Sequence, residues 1–153
     1  MSSLRKGIYD KMRVLKFRQA IYSEDKFDHW HYWGFLPDLS FVGPDSINGL
    51  SHAFDNSQQF TGLSDKHGTE IYEGDKFKCN IQKYIDKEEM EGVVKWAKYK
   101  ASFTLQKGEM TIACFRTPAG FGTAQIKELP DGRVDGEVIG NKWENLNLLE
   151  EKK

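Results

Sequence analysis

Two histidines in a run of aromatic residues are the first side chains along the chain that could do chemistry. His29 and His31 lie two positions apart in the stretch from Phe27 to Phe35. On a β-strand this spacing points both imidazoles to one side, where they could chelate a metal ion if further ligands came from elsewhere. The aromatic neighbours favour packing or an interaction surface instead. We predict no metal site and no cofactor here, and an interaction surface made of His29, Trp30, His31, Tyr32 and Trp33.

A second group alternates cations with aromatic rings. It consists of Lys95, Trp96, Lys98, Tyr99 and Lys100. Proteins hold single-stranded nucleic acid with this combination, because lysines contact phosphates while rings stack on bases. The competing interpretation is an ordinary exposed strand with Trp96 or Tyr99 packed inward. These residues are therefore a candidate binding face for nucleic acid, as a second choice.

The cysteines do not have the surroundings of a nucleophile. Cys79 alternates with Phe77 and Ile81 in the pattern of a half-buried strand, which predicts a buried thiol that behaves as a small hydrophobic group. Cys114 is the only other cysteine in the chain, so a disulfide framework is not expected.

Neither the clustered carboxylates nor the glycine-rich stretch of the sequence has the pattern of a catalytic site. Asp65, Glu70, Glu73 and Asp75 are close in sequence, but closeness on a hairpin does not create an opposed acid and base, and we expect solvated turn residues. The stretch from Gly120 to Gln125 lacks the lysine of a phosphate-binding loop. We predict no catalytic residues and a protein that is not an enzyme.

Composition limits the class of protein. The chain has 153 residues, 22 basic and 23 acidic residues, and a net charge of −1, so no long-range field attracts it to nucleic acid or an anionic membrane. Ten Phe, six Tyr and four Trp supply large side chains for a core. With only short apolar runs and no signal sequence, we expect a soluble protein of the bacterial cytoplasm that does not enter membranes.

The elements that position these residues are predicted to be strands. A first strand is expected over Met12–Arg18, with Leu15 and Phe17 facing a core and Lys16 and Arg18 facing water. Further strands follow over Asp75–Gln82 and at several points up to Gly140, a long loop over 117–135, and a helical turn at the C-terminal end.

This pattern indicates a mainly β fold with little helix. Short strands with hairpin turns favour a small, strongly bent antiparallel SH3-like barrel over residues 58–153. Residues 1–57 form an aromatic-rich N-terminal β segment that either packs on the barrel domain or is exchanged with it.

Two segments carry a resemblance to a known family. The stretch from Gln59 to Asp75, QFTGLSDKHGTEIYEGD, and the stretch from Glu137 to Asn145, EVIGNKWEN, resemble the YopX family of Gram-positive phages and prophages. The opening Met12–Arg18 resembles the usual start of the family. Gln19-Ala20-Ile21 and Leu146 depart from its pattern, so these positions are not expected to carry a shared active site.

The resemblance implies a mainly β phage or prophage accessory protein that associates with itself and whose role is uncharacterised. It supplies no catalytic residues. We predict a non-enzymatic binding or assembly protein acting through contacts with an unknown phage or host protein; the alternative is the nucleic-acid-binding module of the lysine and aromatic face.

Overall fold

A computed structural model describes residues 15–36, 40–45, 57–81, 88–98, 102–115, 124–141 and 144. Within these ranges every regular element is a strand, and the sheets are antiparallel except for one short parallel pair, so the predicted mainly β class is confirmed. None of the described segments is a helix with the length and apolar character that crossing a membrane requires. The chain divides into two compact units, residues 1–62 and 63–153.

The first unit is built on a hairpin. Strand β1 spans Lys16–Ser23, β2 spans Lys26–Phe35, β3 spans Phe41–Val42, and β4, spanning Ser57–Ser64, begins in this unit. Their order in the sheet is β3-β2-β1-β4. The predicted first strand thus begins at Lys16, and residues 12–14 lie outside the described ranges.

The second unit is dominated by a six-stranded sheet in the order β10-β9-β8-β7-β6-β11. Its strands are β6 Asp75–Ile81, β7 Glu88–Ala97, β8 Ser102–Lys107, β9 Met110–Cys114, β10 Ala124–Gln125 and β11 Gly136–Asn141. Strand β5, Glu70–Tyr72, belongs to the other sheet, where it lies beside β4. Strand β10 pairs with β9 in parallel.

The core of the second unit follows the alternation of its strands. Phe77, Cys79 and Ile81 of β6 are buried, as the sequence predicted, and Lys76 and Lys78 point to the other face. The buried apolar cluster consists of Leu63, Ile71, Phe77, Cys79, Ile81, Val94, Phe103, Leu105, Ala113, Phe115, Ile126 and Val134. These side chains come from strands far apart in sequence, so this unit has its own core.

The segment after β10 is bonded both to the end of β9 and to the end of β6. The Ile126 N–H donates to the Cys114 carbonyl at the end of β9 (3.0 Å), and Ile126 also forms an antiparallel bridge with Ile81 at the end of β6. The Lys127 N–H donates to the Asn80 carbonyl (3.0 Å). The described part of the predicted 117–135 loop is therefore hydrogen-bonded to the sheet. Of the predicted C-terminal helical turn, only Glu144 lies in the described ranges.

Candidate functional site

The aromatic window of the sequence lies in β2, where neighbouring residues point to opposite faces of the first sheet. Pairing with β1 places Trp33 opposite Phe17, His31 opposite Gln19 and His29 opposite Ile21. We call this side the histidine face. Trp30 and Tyr32 point to the other side, as the alternation of a strand requires.

Several contacts fix the histidine face. The Trp33 ring stacks on Phe17 at 4.3 Å between centroids, and its indole N–H donates to the Ser57 hydroxyl (3.0 Å). His31 Nε2 donates to the Gly43 carbonyl at 2.9 Å. His29 is exposed beside the Asp28 carboxylate. His31 therefore holds the chain that follows β3, and the two histidines have separate partners.

On the opposite face, Arg18 is buried, with only 7% of its surface exposed. Its guanidinium lies 4.2 Å from the centroid of the Trp30 ring, and its Nε donates to Gln58 Oε1 (2.9 Å). The prediction that Arg18 faces water was wrong, because a cation stacked on an aromatic ring and hydrogen-bonded to an amide can stay away from water. Leu15, which was predicted to face the core, is 39% exposed.

Three exposed apolar side chains adjoin the histidine face. The Phe35 N–H donates to the Leu15 carbonyl (2.9 Å), and Phe35 pairs with Phe41 of β3, with 5.4 Å between the ring centroids. Phe35 is 52% exposed and Phe41 63%. We call Leu15, Phe35 and Phe41 the aromatic corner.

Phe41 was not identified from the sequence as a member of the exposed aromatic surface. Turns and short strands were predicted over residues 36–57 without bounds, and β3 has only two residues, too few for an alternating pattern. The usable signal was the Phe41-Val42 pair directly before Gly43 and Pro44, residue types that often end a strand.

The candidate nucleic-acid face is only partly described. Lys95 and Trp96 are successive residues of β7 and therefore point to opposite faces of the sheet. Trp96 is 38% exposed and packs edge-on against Phe103, with 5.0 Å between the ring centroids. Lys98 is exposed in the turn after β7, while Tyr99 and Lys100 lie outside the described ranges.

Metal and thiol chemistry find little support in the described part of the chain. No three His, Cys, Asp or Glu side chains lie there in an arrangement that could hold a metal ion. Burial, together with the nearby Asp135 and Glu89 carboxylates, raises the pKa of the Cys79 thiol to about 12. Because the thiolate is the nucleophilic form, this thiol is inert at neutral pH, as its predicted burial implied.

The two signature segments are joined by buried carboxylates. Asp65 Oδ1 accepts the N–H groups of His67 and Thr69 (2.9 Å each), and Oδ2 accepts that of Val138 in β11 (3.0 Å). Asp65 is 1% exposed, and this set of bonds fixes the turn after β4 while attaching it to the last strand.

Asp75 repeats this arrangement one turn later. Its carboxylate accepts the Tyr72 N–H (2.8 Å) across the turn that contains Gly74, whose φ is 89°. Its other oxygen accepts the Asn141 side-chain N–H (3.1 Å), and Asp75 is fully buried. The prediction of solvated turn residues was thus wrong for Asp65 and Asp75, because their partners in β11 lie more than 60 positions away in sequence.

These bonded segments fall within a match to a known family. The family model of the YopX protein matches residues 42–150, most of the chain. The chain belongs to the YopX family. No curated protein matches it. Within the YopX match, the signature residues Asp65, Asp75 and Asn141 act in folding, since each is buried and bonded to the protein itself.

Proposed function

We propose that the protein acts by binding another protein through the first unit, with the aromatic corner and the exposed His29, which lie on the same side of β2, as the contact surface. The observation that carries this proposal is the exposure of the aromatic corner. Phe35 and Phe41 together present more apolar surface than an isolated exposed side chain does. Contiguous exposed apolar surface is typical of protein interaction sites.

The composition of the corner supports the same conclusion. Two of its three side chains are phenylalanines, and the third, Leu15, is 39% exposed. Tyrosine, tryptophan and phenylalanine are enriched at the centres of protein interfaces, where they bury large areas with few rotatable bonds.

The experiment is affinity capture from host cells with wild-type protein and two matched variants. Phe35→Ser removes an exposed ring from the corner, while Met110→Ser removes an apolar side chain that is 69% exposed in the second unit. We expect the Phe35 variant to lose the specific partner and the Met110 variant to keep it. Capture that is equal for all three proteins would refute the proposal.

A second candidate function is binding of single-stranded nucleic acid by Lys95, Trp96, Lys98, Tyr99 and Lys100. It is favoured by the partial exposure of Trp96 and by the exposed Lys98 two residues after it, although Lys95 points to the other face of the sheet. Titration with labelled oligonucleotides should show binding that weakens steeply with salt and is lost in Trp96→Ala. Binding that ignores both salt and this substitution would remove this candidate.

We also propose a biological setting for the binding role. We infer a phage or prophage accessory protein that works in the host cytoplasm and associates with itself. Its transcript should rise when the prophage is induced. Light scattering of the purified chain should give a mass above that of one copy, and a monomeric mass at all concentrations would exclude self-association.

We also propose that residues 58–153 form one domain, a small SH3-like barrel, with residues 1–57 as a separate β segment. The bonds of Ile126 and Lys127 to both β9 and β6 support closure of the sheet. Closure predicts that the amide of Lys127, which donates to Asn80 of β6, exchanges with solvent as slowly as amides in β8. Fast exchange at Lys127 would indicate an open sheet.

A further inference from the structure

We propose that the outer edge of β3 is a docking site for an extended segment of the partner protein, which pairs with Phe41 as an added strand. This inference rests on the proposed binding function and specifies how the partner is recognised. The occupant is a chain in β conformation with an apolar side chain against the aromatic corner. The argument depends on which way the backbone groups of Phe41 point.

Strand β3 is the edge of the first sheet, and no described strand pairs with it on its outer side. On its inner side, Phe35 pairs with Phe41 and Gly34 with Val42. The Phe35 N–H donates to Leu15, on the side of β1, and the Leu36 N–H donates to the Ser40 carbonyl (2.9 Å). Phe35 and Phe41 are therefore a non-hydrogen-bonded pair.

In such a pair the N–H and C=O of each residue point away from the partner strand. The backbone donor and acceptor of Phe41 consequently face the outer edge of the sheet, beside a ring that is 63% exposed. An extended chain satisfies a donor and an acceptor on one residue at once, and this is how strands add to sheet edges. A helix cannot, since its own backbone groups are already bonded.

The chain after β3 is held in a way that keeps this edge in place. The Gln19 side-chain amide donates to the Asp45 carbonyl (3.0 Å) and accepts the Asp45 N–H (2.8 Å). His31 bonds the Gly43 carbonyl. These three bonds direct residues 43–45 across the histidine face. A docking strand would meet an edge that is already ordered, which lowers the entropy cost of binding.

The test uses peptides selected from a random displayed 12-residue library on the full-length protein. Selected peptides are synthesised with a fluorescent label and titrated by anisotropy against Phe41→Val and Phe41→Pro. Both variants lack the ring, but only the proline variant lacks the outward N–H, and proline is tolerated at such edge positions. We expect alternating apolar residues in the peptides and binding about tenfold weaker to Phe41→Pro than to Phe41→Val.

A measurement on the wild-type protein keeps the test independent of any folding defect. Adding a selected peptide should slow hydrogen exchange at the Phe41 amide and leave the Trp96 amide unchanged. No change at Phe41, equal affinity for the two variants, or failure to select any peptide would each overturn strand addition.

Two outcomes separate this inference from the wider binding role. If Phe35→Ser abolishes peptide binding while the two Phe41 variants bind equally, the corner is a contact surface but strand addition is wrong. If Phe35→Ser has no effect, the proposed surface itself is wrong. A concentration-dependent dimer that Phe41→Pro disrupts would identify the occupant as a second copy and overturn the assignment to a different partner.

Discussion

Asn141 is the residue whose side chain connects the last strand to a buried carboxylate. Asn141→Ala would leave one oxygen of the fully buried Asp75 without this donor. We expect a loss of about 1–3 kcal/mol in the free energy of unfolding, because the substitution removes a hydrogen bond to a buried carboxyl group. Urea unfolding measures the loss.

The matched control for this substitution is Asn80→Ala in β6. The Asn80 backbone, rather than its side chain, makes the hydrogen bonds of that residue to Lys127 and Asp135, and its side chain is partly exposed. We expect a change within about 0.5 kcal/mol. Equal losses of unfolding free energy at both positions would show that the hydrogen bond between Asn141 and Asp75 does not stabilise the fold more than an average surface contact does.

The thiol of Cys79 gives stability a pH dependence in the alkaline range. Burial raises its pKa from 9.0 to about 12, so the folded protein keeps a proton that the unfolded chain releases. This contribution is fully present below pH 9 and is lost as the pH rises toward 12. Between pH 8 and pH 10 the unfolding free energy should fall by about 1 kcal/mol more in wild type than in Cys79→Ala. Parallel pH profiles would contradict the assignment.

Residue types and spacing predicted the burial of Cys79 but not that of Asp65 and Asp75. The burial of the thiol follows from a local pattern, because Cys79 alternates with Phe77 and Ile81 along the buried side of β6. The carboxylates depend on donors in β11 that only the folded sheet brings near, and a sequence window around either aspartate contains no sign of them. Arg18 was misplaced for the same reason, since Gln58 lies 40 positions away.

At the scale of elements, the hairpin between β1 and β2 has an unfavourable turn. Glu24 and Asp25 have φ values of 52° and 63°. A two-residue hairpin turn with positive φ at both positions is a type I′ turn, in which Asn-Gly is preferred because these residues adopt positive φ at low cost. Replacing them by Glu24→Asn and Asp25→Gly should stabilise the first unit by about 1 kcal/mol. Thermal unfolding is followed by the fluorescence of Trp30 and Trp33, in a background in which Trp96 and Trp143 of the second unit are replaced by phenylalanine.

A control for the turn places glycine at a paired strand position of the same unit. Gln59→Gly puts it in β4 opposite Phe17, where added backbone freedom destabilises a strand by about 0.5–1 kcal/mol. The two variants should therefore shift the melting temperature in opposite directions. A drop in both would mean that the turn is not strained in solution.

The elements themselves were predictable to different degrees. Strand β6 shows strict alternation, and its limits nearly match the predicted ones. Strand β3 has two residues and is defined by its neighbour β2, so its own sequence contains too little information. The aromatic corner depends on that pairing, which explains why the window was recognised while Phe41 was not.

At the scale of the whole molecule, the two units differ in how much apolar core they contain. The buried cluster of the second unit begins at Leu63 and is complete within residues 63–153. In the described part of the first unit, Ala20 and Phe60 are the only buried apolar residues. Apolar burial is the main force that offsets chain entropy, so the second unit should be able to fold without the first.

A fragment that begins at Ser57 keeps all of β4 and tests this expectation. Cys79 and Cys114 are both buried, and in a folded fragment they should react with a thiol reagent as slowly as in the full chain. Residues 1–62 alone should lack a cooperative unfolding transition, because their described core is small. Fast labelling of both cysteines in the longer fragment would show that its core needs the first unit, and the cluster around Phe77 would then be insufficient to define a domain.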